Sequence, residues 1–145
     1  TFSDLITNRK TDYKFDLEKF TNVNGKTGIY VQYAQVRAKK LQQSIAMQKN
    51  EMKSLVLSDI DKQLLSQLFM FGYFLEQSSL LNEPHHLANY LYDISNSFNQ
   101  FYEHEKLSEI KDINHIGSKL YLINLFLTTS QNVMFCLGMK PVEKM

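Results

Sequence analysis

Cysteine is nearly absent: Cys136 stands alone in 145 residues, which excludes an internal disulfide and leaves no CxxC pair for a zinc finger. A reducing, cytoplasmic setting fits that usage. No basic residue adjoins Cys136 in sequence to activate its thiol, so it is expected as a small buried apolar residue. Glycine (five) and proline (two) are also scarce, and no alternation of apolar and polar residues between turn signals persists long enough for a sheet. Long hydrophobic runs are missing too. The most apolar stretches, LFMFGYFL and LYLINLFL, span eight residues each, far short of the roughly 20 that cross a bilayer. The chain is therefore expected to be soluble, with no membrane partner. A net charge of +1 gives no global case for nucleic acid. The length suits one domain with one core. A start at Thr1, without initiator methionine or leader, is expected of a processed product or a piece of something longer.

What is present is helical patterning. TDYKFDLEKF reads as a short helix capped by Asp16, and TNVNGKTG is the strongest loop signal. A helix from about Gly28 to Asn50 or beyond follows. SDIDKQLLSQLFMFGYFLEQSSLL supplies one or two more, beginning at the N-cap candidate Ser58. The next helix has Pro84 in its first turn, where a missing N–H costs nothing, and a core stripe of Leu87, Leu91, Ile94, Phe98 and Phe101. The last runs from roughly Asp112 to Leu137 and is stopped by Gly138, with Pro141 beyond. The inferred fold is all-α, an antiparallel bundle of about four or five helices.

Three groups with catalytic overtones do not hold up. GKTG lacks the glycine that a phosphate-binding loop needs five residues before Gly25, where Phe20 stands. HIGS at 115–118 has the start of a HIGH signature but opens a helix and lacks the second histidine. His85 and His86 are adjacent, so on a helix they diverge by about 100° and cannot share a metal without help from elsewhere. No catalytic residue and no metal ligand are assigned.

Charge is unevenly spread. Residues 30–53 hold Arg37, Lys39, Lys40, Lys49 and Lys53 against Glu51, a local +4, whereas residues 76–112 carry seven acids against two lysines, a local −5. The basic segment contains YVQYAQVR. At 100° per residue, Tyr30, Tyr33, Ala34 and Arg37 share an arc of about 100°, with Lys40 at its edge and Gln32 on the opposite face. Two readings compete. The tyrosines are core rings with hydroxyls at the surface and Arg37 a solvated charge. Alternatively, the rings stack on unpaired bases while Arg37 meets phosphate, with Ala34 small enough for close approach.

The segments DYKFDLEKF, NGKTGIYVQYAQVR, EPHHLANYLYDISNSFNQFYE and the ending LGMKPVEKM occur in an order that resembles the C-terminal part of arginyl-tRNA synthetases, over nearly the whole chain. The resemblance implies an all-helical anticodon-binding domain of the DALR type at residues 25–145, with residues 1–24 as the end of a stem leaving a catalytic domain. It implies arginine tRNAs as partner and a monomer. No cofactor is implied for this part, ATP and Mg²⁺ belonging to the catalytic body. Matching positions are Tyr30, Gln32, Tyr33 and Arg37 in the first motif, His86, Asn89, Tyr90, Asn99 and Tyr102 in the second, and Met145 at the end. By resemblance, Tyr30, Tyr33, Tyr102 and Met145 face anticodon bases and Arg37 a phosphate. Gln32, Lys40, His86, Asn89 and Asn99 are either RNA contacts or ties between helices. Departures are Lys26, Ile29 and Gln35, where the family often has asparagine or aspartate, proline and histidine; losing the proline blurs the helix start, and losing the histidine removes a possible contact. The alternative is a helical protein-interaction module whose basic face at 30–53 docks an acidic partner.

Overall fold

Local capping chemistry sets the helix ends. In the computed structural model, which describes residues 1–8, 10–11, 25–46, 54–104 and 112–143, Ser58 Oγ accepts from Asp61 N while Asp61 Oδ2 accepts from Ser58 N. This reciprocal box satisfies two donors that a helix start leaves open. Asp112 caps the last helix with a single bond, accepting from His115 N at 2.9 Å. That helix ends where Gly138 takes φ +68, which lets Met139 N reach back to Met134 O at 2.8 Å.

The described residues form six helices: α1 Phe2–Leu5, α2 Gly28–Ala46, α3 Asp59–Phe69, α4 Phe71–Leu81, α5 His85–His104 and α6 Ile113–Cys136. No strand occurs among them. None of these helices is long and apolar enough to cross a membrane. The segment after Ser58 gives two helices, because the chain tightens to an i→i−3 bond at Met70 before α4 begins. The helix expected at TDYKFDLEKF lies outside the described residues, as do Asn50 and the end proposed there for α2.

Helix α5 is the centre, packed against all five others. Its stripe Leu87, Leu91, Ile94, Phe98 and Phe101 is buried throughout, and the Phe98 ring stacks on Phe126 of α6 at 4.2 Å. Tyr90 donates its phenol proton to the carbonyls of Gln67 and Leu68, capping the end of α3, and burial raises its pKa. Pairings such as Tyr30 with Asn96 and Arg37 with Glu103 show α2 and α5 running in the same sense. Helix α6 runs against α2, matching Gln35 to Ser130 and Gln42 to Asn124.

One feature departs from the sequence reading, and a second has no counterpart in it. Cys136 is exposed, not buried, because Val133, Met134 and Leu137 take the inner face of the last turn and leave Phe135 and Cys136 outside. Lys119 and Asp61 form a wholly buried ion pair at 2.6 Å, with the ammonium 5.3 Å from the Phe101 ring centroid. Its desolvation is offset by two contacts to one carboxylate that also closes the Ser58 cap.

Candidate nucleic-acid interface

The start of α2 is set by Thr27, whose side-chain oxygen accepts from Tyr30 N at 3.3 Å, so the helix begins cleanly without the proline that Ile29 replaces. Once α2 is under way, Val31, Ala34, Gln35 and Ala38 turn inward. Ala34 is therefore not a gap for an approaching backbone; it is covered by the protein itself. Gln35 is likewise interior, donating to Ser130 Oγ, so the family's histidine at this position has no surface contact to lose here.

The remaining edge of α2 meets the outer edge of α5. The Arg37 guanidinium lies 4.4 Å from the Tyr33 ring centroid and 4.7 Å from that of Tyr102. Asn99, nearly buried, accepts from Arg37 Nη1 at 3.2 Å, and Glu103 adds a loose, exposed ion pair at 3.5 Å. Both tyrosines are 37% exposed, enough for each to offer an edge or face outward. Tyr33, Arg37 and Tyr102, with Val36, Lys40, Leu41 and Ser44, line an open groove of about 340 Å³, within the range of small-molecule sites. Two aromatic rings held by a planar cation in a groove form a stacking platform.

Other predicted positions fall elsewhere. Tyr30 tilts against Tyr92 at 5.2 Å and donates to Asn96 at 3.1 Å. Lys26 sits 5.2 Å from the Tyr92 ring centroid and donates to Asn89. That second ring cluster, with Tyr92 and Asn96, was not singled out from the sequence, although Tyr92 stands two residues after Tyr90 in a quoted motif. Asn89 also donates to the carbonyls of His85 and Ile6, tying α5 to the N-terminal segment.

Gln32 grips the chain after α6 from both sides of its amide: Nε2 donates to Lys140 O at 2.8 Å, and Val142 N donates to Oε1 at 3.0 Å. Lys39 then reaches Glu143 at 3.4 Å. Met145 lies outside the described residues.

His86 is remote from the groove, 3.2 Å from Glu83 Oε2. His85 and His86, whose positions diverge by about 100° around a helix, nonetheless bring their side chains close together. Their rings lie 4.1 Å apart at the start of α5, and Glu83, just before the helix, supplies a third donor. Lys10 holds Glu83 at 2.5 Å and keeps its carboxyl below the usual range, while burial, then His86, lowers the His85 pKa.

The sequence pattern of the family described as "DALR anticodon binding domain" matches residues 31–145. The chain belongs to the DALR anticodon-binding domain family. Among curated proteins, this DALR chain is 34% identical to the arginine–tRNA ligase of Buchnera aphidicola subsp. Cinara cedri, over 99% of its own length and 26% of that protein's. It is 36% identical to the arginine–tRNA ligase of Francisella tularensis subsp. novicida over 77% of its length and 20% of that protein's. It thus spans about a quarter of the curated relatives it matches, in their C-terminal part. In fold, the DALR chain superposes on Thermus thermophilus arginyl-tRNA synthetase with a TM-score of 0.87 at 23% identity, covering 99% of this chain and 25% of that one. For the Plasmodium falciparum arginyl-tRNA synthetase the values are 0.80 and 28%, with 99% and 26% covered.

Proposed function

We propose that this DALR domain serves an arginine–tRNA ligase by holding the anticodon loop of arginine tRNAs in the groove between α2 and α5. The observation that carries the reading is Arg37 fixed between Tyr33 and Tyr102. Rings kept apart by a cation leave their outer surfaces for unpaired bases, worth about 1–3 kcal/mol per stacked base. Arg37, with Lys40 beside it, draws the phosphate backbone. Tyr30 contributes from the neighbouring cluster, and Met145 belongs with Tyr30, Tyr33 and Tyr102 to the set that meets anticodon bases. That role for Met145 is supported by the course of the tail, which Gln32 and Lys39 hold on α2 as far as Glu143. Asn99 positions Arg37, and Asn89 and Gln32 serve as ties.

The domain contributes binding and selection. The parent enzyme joins arginine to tRNA with ATP and Mg²⁺; the chain alone catalyses neither activation nor transfer, acts as a monomer in the cytoplasm, and has residues 1–24 as the end of a stem. Fluorescence anisotropy with an arginine anticodon stem-loop tests this. Affinity should fall with salt at a log–log slope of about −0.7 per phosphate neutralised, and should drop in Tyr33→Ala and Tyr102→Ala variants that stay folded. Unchanged affinity in both would remove the groove from RNA binding.

A further inference from the structure

The corner between α4 and α5 gathers metal-ligating side chains that RNA binding leaves unused. Asn82, at φ 52, reverses the chain after Leu81, and Ser78 fastens the corner by accepting Glu83 N at its carbonyl and Leu87 N at its hydroxyl. One donor atom from each of Glu83, His85 and His86 then lies within 4.8 Å of the others. Glu83 Oε2 is 3.2 Å from His86 Nε2 and 4.0 Å from His85 Nδ1. Tetrahedral zinc, with bonds of about 2.0–2.2 Å, puts neighbouring donors about 3.4 Å apart. Side-chain shifts of about 1.4 Å or less therefore close the set around an ion.

Two independent observations point to a ligand there. His85 Nδ1 is buried and has no hydrogen-bond partner, a state that interiors rarely leave uncompensated. Glu83 Oε1 is anchored by Lys10 at 2.5 Å, which turns Oε2 toward the imidazoles, the kind of outer support that orients metal ligands.

We propose that Glu83, His85 and His86 bind one divalent transition ion of the zinc class, with a fourth position left to water. Two imidazoles and one carboxylate suit zinc, cobalt or nickel, whereas calcium and magnesium need more oxygen donors than this corner offers. Bound there, the ion clips the connection that follows α4 to the first turn of α5.

The test titrates the intact chain with zinc by calorimetry and with cobalt(II) by visible absorption, on wild type, His86→Ala, Glu83→Gln and Cys136→Ser, with helix content checked by circular dichroism. Expected are one equivalent bound, the intense bands of four-coordinate cobalt, and affinity at least about tenfold weaker in His86→Ala and Glu83→Gln but unchanged in Cys136→Ser. No saturable binding by wild type, binding that survives in both ligand variants, or loss with Cys136→Ser overturns the site. If His86→Ala unfolds, histidine ring NMR of the wild type decides. Zinc-dependent shifts of both His85 and His86 support the site, and shifts confined to His104 or His115 overturn it.

Discussion

Replacing Arg37 with lysine separates two things that the groove combines, charge and planarity. The guanidinium touches two ring faces, at 4.4 and 4.7 Å, and donates to a nearly buried Asn99. Each ring contact contributes about 0.5–1 kcal/mol at a partly exposed site. Lysine keeps the charge but has no plane to lie between the rings and no fork to reach Asn99. The organised platform therefore loses about 1–2 kcal/mol, which is roughly a 5- to 30-fold loss of affinity. Because both ring contacts lie within the free domain, its stability should also fall by up to about 1–2 kcal/mol, with little added by the Glu103 pair, whose acid is 70% exposed. Anisotropy with a labelled arginine anticodon stem-loop at fixed salt, alongside thermal melts, reads both quantities. If Arg37→Lys binds within twofold of wild type while Arg37→Ala is weakened, charge alone matters and the stacked platform is refuted.

Four further outcomes follow from the same geometry. Tyr90→Phe leaves the carbonyls of Gln67 and Leu68 without their phenol donor and should cost about 1–3 kcal/mol in denaturant melts. Lys119→Met strands the buried Asp61 and should cost about 3–5 kcal/mol, part of it recovered by adding Asp61→Asn; full stability of the single variant would contradict the pairing. Gln32→Ala frees the amide of Val142, so hydrogen exchange there should quicken by at least about tenfold while α5 is unchanged. Cys136 is exposed and should react with a maleimide at the rate of a free thiol without lowering the melting temperature; slow labelling would place it back inside.

The parts of the fold that were legible rest on short-range signals. Ser58, Asp112 and Gly138 mark helix ends through hydrogen bonds made within a few residues, and the α5 stripe repeats at helical spacing. The burial of Lys119 carries no such mark, because its partner Asp61 is 58 residues away. Cys136 was misjudged by residue type, when its face on the last turn of α6 decides its exposure. In the site, spacing alone put Tyr33 and Arg37 together. The convergence of Tyr102 and Asn99 on Arg37 depends on α5 lying in register beside α2, and no periodicity in either helix encodes that. Tyr30 shares the stripe in sequence but joins Tyr92 and Asn96, because one turn of α2 carries it past the groove.

The central claim is that unpaired anticodon bases stack in the groove made by Tyr33, Arg37 and Tyr102. Placing 2-aminopurine at an anticodon position of an arginine stem-loop reads stacking directly, through quenching of its fluorescence. Saturating wild-type protein should quench it, and the folded Tyr33→Ala, Tyr102→Ala double variant, at concentrations that still saturate the RNA, should not. Equal quenching by the two proteins, or none by wild type despite binding, would contradict the account.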